Sequence, residues 1–367
     1  MLNNRTIAVV VPAFNEGEQI GNVIGSIPGF VDRIVVVNDA STDDTAGKVM
    51  MLIEESDEVS PLPETGGKRH GHSGKYGAAD KLMHERNSDE IQYFPSHEVA
   101  NLKPRTDRII LINLTKNSGV GAAIAVGYKW CKDHRIDCAA VMAGDGQMDP
   151  DELESICRPV VEEGIDYVKG NRLRHASASV LIPRTRFFGN SVLSILTKIA
   201  SGYWSVSDTQ TGYTAISKNA LNSIRLYKIY PRYGMPNDML VKLNMAYCTL
   251  REVTIKPVYN VGERSKMKIF KVVLPISLLL LKSFFTRLWV KYLLRDFHPL
   301  FLLYHLGFFL LLFSLPFFIS LLSSALVAGV STPFQNLLFF IFLTITGFQS
   351  LLFAMWMDIQ HNDRLMK

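Results

Sequence analysis

Between Phe297 and Met357 the chain carries no Asp, Glu, Lys or Arg. That window holds two leucine- and phenylalanine-rich segments, each long enough for the roughly 20 residues that span a bilayer. We place the spans near 299–322 and 334–357, joined by the uncharged turn from Val327 to Pro333. Buried core helices of a soluble protein are the alternative, but neither segment has a wet face. The basic residues Lys282, Arg287, Lys291 and Arg295 precede the first span, and Arg364 and Lys367 follow the second. The positive-inside rule then puts both flanks in the cytosol, so the hairpin crosses and returns.

A chain of 367 residues has room for more than this anchor. The opening segment lacks the basic, apolar and small-residue regions of a signal peptide, so the large N-terminal part is expected on the cytosolic face. Cys131, Cys138, Cys157 and Cys248 show no C-x-x-C spacing, which fits reduced, packed thiols better than disulfides or zinc. The net charge of +5 is modest, and its useful part is the basic run from Lys266 to Arg295. "KIFKVVLPISLLLLKSFFTRLWVKYLLRDF" mixes apolar runs with Lys and Arg and is broken early by Pro275; it reads as interfacial helices with Trp289 and Tyr292 as anchors. Lys271, Lys282, Arg287 and Lys291 read as headgroup contacts.

The N-terminal part reads as α/β. "TIAVVVPAF" and "RIVVVNDA" are β-branched runs with a helix between them over 16–27. Strand, helix, strand with near-continuous Val and Ile signals a parallel sheet covered on both faces. A second helix begins at "STDDTAGKVMMLI", with Ser41 or Thr42 as N-cap. Residues 54–108 show no sustained period and read as an insertion, a structureless excursion on a surface connection. His70 and His72 within it have no nearby carboxylate or Cys and read as loop residues. The sheet resumes at "RIILINL"; "TKNSGVGAA" leads into a helix through small residues, and "CAAVMAGDG" supplies another buried strand.

The strand tip "AGDGQMDP" carries the chemistry. Asp145 and Gln147, two positions apart on a glycine-bearing turn, can aim hard oxygen donors at one point. That suits Mg²⁺ or Mn²⁺, which bind through one or two carboxylates and complete their shells with substrate phosphates and water. Asp149 and Pro150 end the turn and start the next helix.

The order "VVPAFNE", "VVVNDASTDDT", "KNSGVGAA", "AGDGQMDP" resembles the family 2 nucleotide-sugar glycosyltransferases, whose catalytic domain has the GT-A fold, a Rossmann-like mixed sheet. The likeness continues through "GNRLR", "SVSDTQTGYTAIS" and "VGERSKMK", and with the hairpin behind it looks most like the polyprenyl-phosphate hexosyltransferases that use dolichyl or undecaprenyl phosphate. The resemblance implies a nucleotide site at Pro12, Phe14, Glu16, Asp39, Asn117 and Gly119, and a metal site at Asp145 and Gln147. It implies acceptor-phosphate contacts at Arg172, Arg264, Ser265 and Lys266, sugar contacts at Asp208 and Gln210, and catalytic roles for Asp145, Asp238 and Arg186. The family motif is usually Asp-x-Asp, and Ala143 stands here where the first acid would be.

The expected organisation is a catalytic domain at 1–265 with the insertion at about 54–108, interfacial helices at 266–297, and a hairpin with a short tail at 298–367. The expected reaction moves a hexose or N-acetylhexosamine from a UDP- or GDP-sugar to a polyprenyl phosphate, with inversion and with metal assistance. Transfer to a hydroxyl acceptor, with Asp238 as base, and a catalytically inactive membrane scaffold are the alternatives. The partners are the nucleotide sugar, the lipid phosphate and the membrane. No nucleic acid is called for, and a homo-oligomer stays open.

Overall fold

The computed structural model describes residues 2–62, 77–177, 184–258, 269–326 and 333–367. Eight strands form a mixed sheet in the order β3-β4-β2-β1-β5-β7-β6-β8. Its centre is β1 (Ile7–Ala13), β2 (Arg33–Asn38), β4 (Ile109–Leu114) and β5 (Cys138–Val141), all mutually parallel. The Val- and Ile-rich runs thus sit where both faces are covered. β7 (Thr214–Ser217) runs antiparallel to β5 and to β6 (Tyr167–Asn171), and β6 pairs in parallel with β8 (Leu250–Thr254).

Side chains alternate across the sheet. Ala8 and Val10 join one core with α4 (Val120–Asp133), α7 (Lys218–Ser223) and α8 (Met235–Met245). Ile7, Val9 and Val11 join the other with α1 (Ile20–Ser26), α2 (Thr45–Glu55) and α5 (Leu153–Glu162). Gly127 lets α4 close on the sheet, since a Cβ there would stand 2.4 Å from Val10 Cγ1.

The stretch 54–108 is not wholly structureless. It contains α3 (Gly77–Asp89) and a short strand β3 (His97–Val99) that pairs antiparallel with β4 and extends the sheet. Lys132 to Glu90 (3.0 Å) and Asn87 to Asp133 (2.6 Å) tie it to α4. His70 and His72 lie outside the described residues. The helix start at α2 also differs: Asp44 holds the N-cap position, and Asp43 Oδ1, not Ser41 or Thr42, accepts from Thr45 N at 3.1 Å. The four cysteines are free and buried, as expected.

Among the described residues three helices are long and apolar enough to cross a membrane, by length and composition: Val273–Arg295, Pro299–Leu326 and Phe334–Asp363. Two were expected, and packing distinguishes the third. On α9 (Ile269–Arg287), Ile276, Leu280 and Phe284, followed by Leu288, recur every fourth residue and are buried against Ala200 and Val241 of the α/β domain. Leu274, Leu278 and Leu281 stay exposed on it. The helix runs through Pro275 rather than breaking there, and a π-helical segment, Leu288–Arg295, continues it. α10 (Pro299–Leu326) and α11 (Phe334–Asp363) pack as the hairpin, with Gly307 and Gly347 at their contact; a Cβ on Gly307 would meet Leu351 at 2.6 Å.

The basic stripe is partly a buried network. Arg287 and Lys291 are fully buried, not headgroup contacts. Arg287 binds Asp358 of α11 through Nη1 and Nη2, both at 2.8 Å, and the carbonyls of Ile199 and Ala200. Lys291 donates to Asn244 Oδ1 (2.7 Å) and Asn362 Oδ1 (2.8 Å). Tyr292, expected as an interfacial anchor, is buried too, and its hydroxyl donates to Asp358 at 2.8 Å. Trp289 is half exposed, and Lys282 is exposed, as expected. The segment after α11 then pairs with β8, through Leu250 N to Leu365 O (2.7 Å) and Lys367 N to Leu250 O (3.0 Å). Both ends of the hairpin are fastened to the α/β domain.

Candidate active site

The parallel strands β4, β2, β1 and β5 end along one edge of the sheet, where open α/β sheets bind ligands. The turns leaving β1 and β2 are stitched together. Asn15 and Ala40 adopt positive φ (55° each), which turns both backbones sharply. Asn15 N then donates to Ser41 Oγ (3.0 Å), Thr42 N to Asn15 Oδ1 (2.8 Å), and Gly17 N to Asp43 Oδ2 (2.9 Å). On this platform Pro12 is buried, Glu16 is half-buried and Phe14 is exposed.

Asp39, at the end of β2, is buried. Its Oδ1 accepts from Ser118 N (2.6 Å) and its Oδ2 from Gly119 N (2.8 Å). Burial pushes its carboxyl up while those two backbone bonds and the nearby Arg232 charge oppose the rise. Gly119 has φ +96°, and a Cβ there would stand 2.5 Å from Pro231 O. Pro231 O accepts from Gly121 N (2.9 Å) and Ala122 N (3.1 Å), so the 230–232 loop lies on the start of α4. Asn117 is exposed beside it. Asp238, in the first turn of α8, is buried and grips the same loop: Tyr230 N donates to Oδ2 at 2.7 Å, and Lys242 pairs with both oxygens.

The turn after β5 lies against β1, with Gly144 N donating to Pro12 O at 3.3 Å. Gly146 takes φ +71°. Asp145 Oδ1 accepts from Gln147 N at 3.0 Å, and burial pushes the Asp145 carboxyl above the usual carboxylate range. Asp149 caps the following 3₁₀ turn, accepting from Asp151 N at 3.0 Å. Among the described residues no three His, Cys, Asp or Glu gather to form a protein-only metal cage. One half-buried carboxylate beside an amide instead fits a hard divalent ion that takes its remaining ligands from phosphates and water. A cation would relieve the burial that raises the carboxyl.

Beyond β5, Arg172 and Asp208 come together. Arg172 Nε and Nη2 meet the two Asp208 oxygens at 2.8 and 3.1 Å, a bidentate pair. Burial would raise the Asp208 carboxyl, but the Arg172 guanidinium and the Lys169 charge hold it below its ordinary value. Gln210 donates to Asn237 Oδ1 at 2.8 Å, and Asn237 Nδ2 is buried with no hydrogen-bond partner among the described residues. The sequence reading missed Lys169, Glu252 and Asn237. For Lys169 a signal existed: in "DYVKGN" it takes the strand position where alternation calls for an apolar side chain. For Arg186 only the backbone is described, in the first turn of α6 (Arg184–Ser201). Arg264, Ser265 and Lys266 lie outside the described residues.

Residues 96–225, which contain β4, β5, the turns that follow those two strands and the Arg172–Asp208 pair, match the family model for glycosyl transferase family 2. The chain carries a family 2 glycosyl transferase domain. The transferase domain is similar to a UDP-N-acetylglucosamine–dolichyl-phosphate N-acetylglucosaminyltransferase of Methanococcus voltae, 26% identical over 258 residues that cover 70% of this chain and 87% of that one. An uncharacterised protein of Methanocaldococcus jannaschii is 25% identical over 71% of this chain and 84% of its own length. Among solved structures, glucosyl-3-phosphoglycerate synthase of Mycobacterium tuberculosis, in complex with Mn²⁺, UDP and glucosyl-3-phosphoglycerate, is 18% identical with a TM-score of 0.47, covering 77% of this chain and 80% of that one. The mixed sheet of the transferase domain is GT-A-like, as the motifs implied.

Proposed function

We propose that this protein is a membrane-bound inverting glycosyltransferase that moves a hexose or N-acetylhexosamine from a UDP- or GDP-sugar to a polyprenyl phosphate at the cytosolic leaflet. The observation that carries the reading is the attachment of the hairpin. An apolar hairpin fastened at both ends to a family 2 transferase domain tethers that domain to the bilayer. An acceptor with its phosphate at the interface and its chain in lipid suits that placement. The name of the Methanococcus voltae relative, which pairs a UDP-sugar with a dolichyl phosphate, supports the same choice. The basic flanks Lys282, Arg295, Arg364 and Lys367 favour the cytosolic side.

In this reading Pro12, Phe14, Glu16, Asp39, Asn117 and Gly119 form the nucleotide end of the cleft. Asp145 and Gln147 would hold Mg²⁺ or Mn²⁺, which neutralises charge on the diphosphate leaving group. Arg172, with Arg264, Ser265 and Lys266, receives phosphate, Asp208 and Gln210 address the sugar, and Arg186 lies on the acceptor side. A phosphate monoester with a second pKa of about 6 is largely a dianion at neutral pH. Its oxygen forms the new bond to C1 while the C1–O bond to the diphosphate breaks, and no proton has to be removed. Asp238 already accepts from Tyr230 N and Lys242, which suits a positioning role better than that of a base for a hydroxyl acceptor. The division at 1–265, 266–297 and 298–367 belongs to the same reading.

The test is nucleotide release by purified protein in detergent across a panel of UDP- and GDP-sugars, with and without polyprenyl phosphate, and with Mg²⁺, Mn²⁺ or EDTA. Release that needs one donor, the lipid phosphate and a divalent ion is expected. Release into a hydroxyl acceptor, abolished by Asp238→Asn with donor binding intact, would replace the lipid-phosphate reading. Undiminished release in EDTA would remove the metal.

A further inference from the structure

Lys169 stands in the middle of β6 and is fully buried. In register it lies between Thr214 of β7 and Glu252 of β8. Its ammonium donates to the carbonyl of Thr211. Glu252 reaches the same loop from the next strand, its Oε1 accepting from Ser207 N (2.9 Å) and Asp208 N (3.0 Å). The segment 207–211 is therefore gripped from beneath at one end by a carboxylate and at the other by an ammonium.

We propose that Lys169 is a positioning residue of the transfer site, one that fixes the 207–211 loop and with it the donor-sugar contacts Asp208 and Gln210. The charged groups facing it are Asp208, Arg172 and Glu252, with Arg174 Nη2 at 3.5 Å from Glu252. Both carboxylates are almost completely buried, whereas the Arg172 side chain keeps 26% of its surface exposed. With Lys169 charged, Asp208 is stabilised by two cations, and the loop that carries Asp208 and Gln210 stays placed for the donor sugar. Without it, Asp208 holds Arg172 alone. An ammonium at a core-facing strand position carries a heavy desolvation penalty, which an apolar side chain would avoid. Burial pushes the Lys169 ammonium down to about 8, so the charge is lost within an accessible alkaline window.

The kinetic part rests on the transferase reading above. In wild type, kcat/KM for the sugar nucleotide should fall on the alkaline side with an apparent pKa near 8. Lys169→Arg should move that limb up by about two units or more, because a guanidinium stays protonated to about pH 12. Lys169→Met should raise the donor KM about tenfold and leave the acceptor KM nearly unchanged, as expected for a lost charge-assisted hydrogen bond. An unmoved limb in Lys169→Arg, or donor and acceptor constants of Lys169→Met worsening together, would overturn the proposal. Hydrogen exchange read on the peptide 207–213 separates this from failure of the transferase reading. If no sugar nucleotide is turned over, extra opening of that peptide above pH ~8 in wild type but not in Lys169→Arg still supports the positioning role. Equal exchange in the two proteins would exclude it.

Discussion

Asp145 is the one acid left where the family motif usually has two, and its environment makes it conditional. Burial raises its carboxyl, so the folded state gains from the protonated form. A raised folded value means that this contribution is present at pH below the unfolded value and lost as pH rises through the folded one. At neutral pH the anion is therefore a liability that a bound divalent ion would offset. Mn²⁺ should raise the melting temperature of wild type at pH 7 and not that of Asp145→Asn, measured by thermal shift, and the variant should lose about 100-fold or more in turnover. Asp208 has the opposite sign. Its lowered carboxyl contributes stability above the unfolded value and loses it as pH falls through the folded one, so Asp208→Asn should flatten the acid side of a stability profile. Asp39 already accepts one backbone N–H on each oxygen, and Asp39→Asn replaces one acceptor oxygen with an amide that faces a backbone N–H. That should cost about 1.5–3 kcal/mol in urea unfolding and raise the donor KM together with it.

Among the elements, the parallel strands were legible because burial on both faces writes them as unbroken Val and Ile, and the hairpin because a charge-free window admits few other readings. β3 was not, since three residues, "HEV", on a half-exposed edge carry no period. Nor was the fate of Arg287 and Lys291. A basic residue among leucines reads as a snorkelling cation until its acid appears, and Asp358 lies on a helix 71 residues away in sequence. In the candidate site, Asp145, Asp208 and Arg172 were singled out through motif likeness, while the contacts of Lys169 and Glu252 exist only in the folded sheet. The Arg287–Asp358 pair, with no exposure on either side, predicts a double-mutant cycle. Arg287→Met alone or Asp358→Leu alone should each lose about 3–5 kcal/mol by orphaning a charge, and the double replacement far less than their sum. Chemical denaturation in a fixed detergent reads all four corners. An additive double mutant would mean that the pair is not coupled.

For the molecule as a whole, both ends of the hairpin meet the α/β domain. Residue 367 sits on β8 of the domain that also holds residue 3, so Lys367→Cys and Asn3→Cys should react with an impermeant maleimide from the same face of sealed vesicles. The four native cysteines are buried and should give a low background. Labelling from opposite faces would break the topology. The pairing of residues 365–367 with Leu250 also has a bearing on biogenesis. These residues follow both apolar helices in the sequence, so the ribosome delivers them only after the whole hairpin has been made. Until then the Leu250 end of β8 lacks this partner. That corner of the sheet is therefore closed only by a chain whose two apolar helices have been made and packed, and a failure of that packing would leave it open to other strands.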